Sequence, residues 1–184
     1  MRIALTIAGS DPTGGAGLQA DLRVFWHFGV YGLSAITSVT CQNTMGVEEV
    51  YPLSAEELQR QLYVLLEDIK PHSLKTGMIY SRENMEVIRE AIKRYELKNL
   101  VIDPVTVSST GVSLLEDKAL DTLRERLIPL AKVVTPNIYE ASLLTGIKIG
   151  SIEDMERAAK ELKASGVEAV VITGGHLEGE KTVD

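Results

Sequence analysis

Short apolar runs alternate with segments of helical periodicity along the chain, and this alternation limits the folds that the sequence can adopt. The strand candidates lie at residues 3–7, 72–78, 100–102, 132–135 and 169–173. The helical segments lie at residues 18–28, 54–69, 81–95, 116–130, 137–144 and 151–166. The pattern predicts an α/β fold with a mostly parallel central sheet, flanking helices and right-handed crossovers.

One region departs from this alternation, because no long helix separates its two strand-like runs. These runs lie at residues 34–40 and 47–52, with a turn-like segment at residues 42–46 between them. We therefore expect a hairpin, forming a small β flap near residues 34–52, over one edge of the sheet.

Length, charge and cysteine content narrow the class of protein. The 184 residues are enough for one domain, with 1–184 as its bounds. A net charge of −7 argues against a nucleic-acid or anionic-membrane surface. The single cysteine, Cys41, excludes an internal disulfide and fits a reducing compartment. No apolar stretch reaches membrane-spanning length, so we expect a cytoplasmic protein.

A segment dense in glycine, residues 8–21, lies between the first strand and the first helix. Glycine lets a backbone approach a ligand closely, and open α/β sheets bind ligands at the carboxyl ends of their strands. No Gly-Lys-Ser/Thr follows the glycines, and the spacing of a dinucleotide fingerprint is absent. The segment therefore predicts a binding site of another kind.

Polar residues also follow other predicted strands, and each has a purely structural interpretation. Gln42 is compatible with a hairpin turn, and Asp103 with a strand-end turn. Asn137 and Glu140 have the spacing of a helix capping box. Asp21 alone could belong to a solvated helix face. If the sheet is parallel, these positions converge on one rim and form a polar cleft.

Six segments carry a resemblance to a known family. They lie, in order, at residues 8–22, 42–44, 75–78, 103–105, 135–140 and 174–176. The chain resembles the hydroxymethylpyrimidine/phosphomethylpyrimidine kinases of the thiamin pathway, which belong to the ribokinase-like superfamily. The first two segments are specific to this branch, whereas the Asn-x-x-Glu element is shared more widely.

The resemblance implies a reaction and its partners. ATP and Mg²⁺ would serve phosphoryl transfer to the hydroxymethyl group of 4-amino-5-hydroxymethyl-2-methylpyrimidine. A second transfer onto the monophosphate would give the diphosphate. The implied partner is this small pyrimidine, and the family's homodimers imply a homodimer here.

Five residues are candidates for the acceptor site. An aminopyrimidine edge presents an adjacent donor and acceptor, which the carboxamide of Gln42 can pair bidentately. Gly9 can offer a backbone N–H near the ring, and Met78 and Val105 can sandwich its faces. The resemblance also places Asp21 at the substrate end.

Five further residues are candidates for the nucleotide end. Asn137 and Glu140 resemble the family's Mg²⁺–phosphate element, with Glu140 acting on the metal through water. Asp103 matches a polar strand-end position near the phosphates. Thr173 and Gly175 match the strand end that contacts the nucleotide.

The sequence departs from the family pattern in two places. Many members have lysine where this chain has Thr173, so phosphate attraction there should be weaker. The Gly-Thr-Gly-Cys (or Asp) segment, which forms the anion hole and supplies the catalytic residue, does not occur in residues 1–184. We expect that segment beyond Asp184, so that the domain is C-terminally incomplete and its catalytic residue unassigned. The alternative is a short, kinase-inactive polypeptide.

Two other functions remain open at this level. A pyridoxal kinase of the same superfamily is one alternative, although pyridoxal lacks the exocyclic amine that Gln42 would recognise. A catalytically inactive pyrimidine-binding module is the other.

Overall fold

In the part of the chain that the structure describes, seven strands form one sheet in the order β3-β2-β1-β4-β5-β6-β7. The computed structural model describes residues 1–108, 111–116, 118–175 and 182–184. The strands are β1 Ile3–Ser10, β2 Tyr31–Asn43, β3 Gly46–Pro52, β4 Ser73–Thr76, β5 Leu100–Ile102, β6 Val133–Val134 and β7 Ala169–Val170. Every neighbouring pair is parallel except β2 and β3, so the predicted mostly parallel α/β fold is confirmed.

Helices connect most of these strands. They are α1 Gly17–His27, α2 Ala55–Asp68, α3 Arg82–Arg94, α4 Ala119–Thr122, α5 Ile138–Thr145 and α6 Ile152–Ala164. The prediction of one regular helix over residues 116–130 was wrong. After α4 the chain continues as a π-helical segment, Leu123–Leu127, and a 3₁₀ turn, Ile128–Leu130. Pro129 explains this ending, because it lacks an N–H and its ring conflicts with the carbonyl four residues earlier.

The predicted hairpin is present, and its first strand is longer than the sequence predicted. β2 is one 13-residue strand whose first part pairs in parallel with β1 and whose last part pairs antiparallel with β3. Register shifts interrupt both ladders, near Ser10 and between Cys41 and Gln42. The hairpin therefore extends the central sheet beyond the end of β1, and it carries Gln42 to the carboxyl edge of the sheet.

Buried apolar side chains hold the strand ends in position. A large core cluster joins β1, β4 and β5 to α2 and α3, with Leu5, Leu62 and Ile88 among its fully buried members. A smaller cluster joins α5 to α6 through Ala141, Met155 and Ala158. Within the described ranges, no helix is long and apolar enough to cross a membrane. His176, the last residue of the resembling segment 174–176, lies outside the described residues.

Candidate functional site

A cavity of about 540 Å³ lies at the carboxyl ends of β1, β2, β4 and β5. All five residues predicted for the acceptor site line it, namely Gly9, Asp21, Gln42, Met78 and Val105. Asp103, predicted for the nucleotide end, lines the same cavity. The structure thus brings together residues that lie up to 96 positions apart in the sequence, from Gly9 to Val105. Parallel pairing explains this, because it places successive strand ends on one edge.

The glycine-rich loop is organised around Asp11. Its carboxylate accepts hydrogen bonds from the backbone N–H of Thr13 and of Ala16, both at 2.8 Å, and from the Thr13 hydroxyl at 3.0 Å. Burial pushes the pKa of Asp11 upward, but these donors, led by the Ala16 N–H, outweigh burial and hold the pKa below its usual value. Asp11 lines the cavity as an ionised group whose oxygens already bind the loop, so its role is to shape the wall.

Two glycines make close contacts in that wall, one with a flexible side chain and one with backbone. A Cβ on Gly9 would lie 2.3 Å from Cε of Met78, so the Met78 side chain occupies the space that a side chain would need. A Cβ on Gly17 would lie 2.5 Å from the carbonyl oxygen of Gly9, and Gly17 has a φ of +61°. The backbones of Gly9 and Gly17 therefore pack directly on each other.

The carboxamide of Gln42 keeps hydrogen-bonding capacity for a ligand. Its Oε1 lies 3.2 Å from the Thr40 hydroxyl, which also lies 3.0 Å from the Ser10 carbonyl oxygen. One hydroxyl proton serves only one acceptor at a time, so a Thr40 hydroxyl that donates to Ser10 leaves Oε1 available. The Nε2 of Gln42 donates to none of the described residues. Both a donor and an acceptor are thus available at the cavity.

Lys75 joins two carboxylates in the cavity wall. Its Nζ lies 3.1 Å from Oδ1 and 3.2 Å from Oδ2 of Asp21, and 3.3 Å from Oδ2 of Asp103. The Thr6 hydroxyl donates to Asp21 at 2.6 Å. Burial raises the pKa of Asp103, and Asp21 adds to the rise, whereas Lys75 opposes it. Sequence reasoning missed Lys75 as a site residue, although its position next to the end of β4 was an available signal.

The residues predicted for the nucleotide end lie farther along the rim. Asn137 and Glu140 form a capping box, with Oδ1 of Asn137 accepting from the Glu140 N–H and Oε2 of Glu140 accepting from the Asn137 N–H, both at 2.9 Å. The other carboxylate oxygen of Glu140 accepts from the Thr106 N–H at 3.4 Å. Thr173 lies beside Asn137 through a parallel bridge, and the space around Gly175 is open. None of these four predicted residues lines the cavity.

The electrostatic state of Glu140 is unusual. The residue is only 4% exposed to solvent. Burial raises its pKa to about 7, the nearby Asp103 adds to the rise, and the Asn137 and Thr106 N–H donors oppose it. In the part of the chain that the structure describes, no group of three or more His, Cys, Asp or Glu side chains could hold a metal ion. The role of Glu140 at a metal therefore stays a prediction.

We expect Glu140 to make folding stability depend on pH. Between its ordinary pKa of 4.5 and its folded pKa of about 7 the folded state binds more protons, so stability should fall as pH rises through this range. The total loss corresponds to about 3 kcal/mol, and it is complete above the folded pKa. Urea unfolding of the wild-type chain and of Glu140→Gln from pH 5 to pH 8 measures it. The wild-type chain should lose stability relative to the variant as pH rises; parallel profiles would contradict the assignment.

The fold and the site together define an α/β protein of the ribokinase-like class. The profile of the family described as Phosphomethylpyrimidine kinase matches residues 11–184. A crystal structure of phosphomethylpyrimidine kinase from Clostridium difficile 630 superposes with a TM-score of 0.90 at 47% identity, covering 98% of this chain and 78% of that one. The chain belongs to the phosphomethylpyrimidine kinase family, as its resemblance predicted.

Other similar proteins are named either hydroxymethylpyrimidine/phosphomethylpyrimidine kinase or pyridoxal kinase. The hydroxymethylpyrimidine/phosphomethylpyrimidine kinases of Bacillus subtilis (strain 168) and Synechococcus elongatus are 46% and 48% identical to it, over 94% and 97% of this chain. The chain spans 64% and 67% of their lengths. An ADP complex of Bacillus subtilis pyridoxal kinase has a TM-score of 0.89 at 41% identity, covering 100% of this chain and 69% of that one.

Proposed function

We propose that this chain serves ATP-dependent phosphorylation of 4-amino-5-hydroxymethyl-2-methylpyrimidine and of its monophosphate. The observation that carries the proposal is the carboxamide of Gln42, which offers a donor and an acceptor at a cavity lined by Gly9, Met78 and Val105. Relatives named for this activity support it. A site that pairs with the amine of a substrate strongly rejects analogues without that amine.

Different residues of the cavity would contact different parts of the acceptor. Met78 and Val105 supply apolar surface for the two faces of the ring, and the Thr37 hydroxyl fixes the backbone of Met78 by donating to its carbonyl oxygen at 2.6 Å. Gln42 selects the aminopyrimidine edge, and Gly9 lets the Met78 side chain pack closely against the backbone beside the ring. Asp21, which Lys75 and the Thr6 hydroxyl hold in place, supplies the carboxylate at the acceptor end.

The nucleotide end fits a magnesium ion held mainly through water. Asp103 presents a carboxylate that is 36% exposed at the cavity rim, a donor of the type that Mg²⁺ prefers. Both oxygens of Glu140 already accept backbone N–H groups, which fits a water-mediated position better than direct ligation. When bound, the ion would neutralise phosphate charge during transfer. Thr173 and Gly175 would contact the nucleotide, and nucleotide complexes of similar kinases support the use of ATP.

Pyridoxal phosphorylation is the second candidate, because solved pyridoxal kinases share this fold at substantial identity. A coupled assay of the complete gene product with ATP and either hydroxymethylpyrimidine or pyridoxal separates the two activities. We expect ADP release stimulated by the aminopyrimidine. Stimulation by pyridoxal alone would favour the second candidate. Tight pyrimidine binding in calorimetry without turnover would identify a pyrimidine-binding module instead.

A further inference from the structure

Lys75 is the only cationic side chain among the described residues that line the cavity. Three carboxylates line the same cavity, those of Asp11, Asp21 and Asp103. The oxygens of Asp11 accept hydrogen bonds from the glycine-rich loop, whereas Asp21 and Asp103 both contact Lys75. Without this lysine, the ionisable side chains that line the described part of the cavity would all be carboxylic acids.

The position of Lys75 in the sheet is central to the site. β4, which carries it, lies between β1 and β5 in the sheet order. The acceptor residue Gln42 is on one side, at the β2 end, and Asp103 is on the other, after β5. The Lys75 side chain is only 23% exposed, so solvent screens its charge incompletely.

The two acceptors of the proposed reaction differ mainly in charge. The hydroxymethylpyrimidine has a neutral alcohol, whereas its monophosphate carries between one and two negative charges at neutral pH. An anionic cavity wall would repel the second acceptor and leave the first almost unaffected.

We propose that Lys75 is a specificity-determining residue that lets this cavity bind the phosphorylated acceptor. Its single positive charge partly offsets those of Asp21 and Asp103, and its ammonium attracts the phosphomonoester. This inference rests on the proposed function and deepens it, since it assigns acceptance of the second substrate to one side chain.

Calorimetric titration of the chain with hydroxymethylpyrimidine and with its monophosphate tests the inference. Lys75→Met should weaken monophosphate binding by about 10- to 100-fold, as expected for loss of a charge-assisted contact. Binding of the alcohol should change by less than about 3-fold. Lys75→Arg, which keeps the charge, should retain the wild-type ratio of the two affinities.

Lys75→Met alone leaves both Asp21 and Asp103 without their lysine partner, so a second pair of variants is compared in which Asp21 is neutral. Asp21→Asn removes one negative charge, and Asp21→Asn/Lys75→Met removes the lysine from that background. The double variant should show a monophosphate-to-alcohol affinity ratio about 10-fold or more below that of Asp21→Asn alone. Equal ratios in these two variants, or equal weakening of both ligands by Lys75→Met, would overturn the inference. A wild-type chain that binds neither pyrimidine would overturn the proposed function and the inference together.

Discussion

Replacing Gln42 by alanine should lower the affinity for hydroxymethylpyrimidine by about 10- to 100-fold, because two directional hydrogen bonds are lost together. Pyridoxal, which has no exocyclic amine, should lose less than about 3-fold, because it lacks the adjacent donor and acceptor with which the carboxamide pairs. Isothermal titration of both ligands with the wild-type chain and Gln42→Ala measures the difference. The account requires a change in selectivity as well as in affinity.

Gln61 offers a matched control for this substitution. It lies in α2, away from the cavity lining, and pairs bidentately with the backbone of Ile36, with its Oε1 at 2.9 Å from the N–H and its Nε2 at 3.0 Å from the carbonyl oxygen. Gln61→Ala should reduce stability without changing the preference for the aminopyrimidine. If Gln42→Ala weakens both ligands equally, the assigned contact is wrong.

The second large effect concerns the glycine-rich loop. Gly17→Ala should reduce the free energy of unfolding by about 2–4 kcal/mol, because the new Cβ combines a left-handed φ with a collision against the Gly9 carbonyl oxygen. The loop must move to relieve the collision, so pyrimidine affinity should fall as well. Denaturant unfolding and calorimetry measure the two effects.

Gly29 provides the control at the other end of α1. Its φ of +67° is close to that of Gly17, but a Cβ there would meet nothing within 4 Å. Gly29→Ala should cost only about 1 kcal/mol and leave binding unchanged, because it adds the conformational penalty without a collision. Similar losses in the two variants would show that the packing of Gly17 on Gly9 has no special role.

The architecture and the position of the cavity at the carboxyl ends of the strands follow from local sequence patterns. Apolar runs alternate with helical periodicity, and parallel strands place their carboxyl ends together. That reasoning predicts Gln42 and Asp103 on one rim, and the family resemblance adds Gly9, Met78 and Val105, which line the same cavity. It also left open whether Asn137 and Glu140 form a capping box, which the structure shows they do.

Other features depend on contacts between distant segments, which local patterns do not specify. The ion pairs of Lys75 join residues 54 and 28 positions away, so their geometry exists only after β4 has paired with β1 and packed beside β5. The pairing of β2 with both β1 and β3 also depends on distant segments, because a run of strand-forming residues does not specify which strands it pairs with. Burial of Glu140, which raises its pKa, likewise depends on the folded environment.

The most direct test of the account follows the side-chain amide of Gln42 by NMR during titration with hydroxymethylpyrimidine. We expect the Nε2 proton signals of Gln42 and the methyl signal of Met78 to shift with the same dissociation constant that calorimetry gives. The side-chain amide signals of Gln61 should stay in place. Calorimetric binding that leaves the Gln42 and Met78 signals unchanged would contradict the assignment of this cavity as the pyrimidine site.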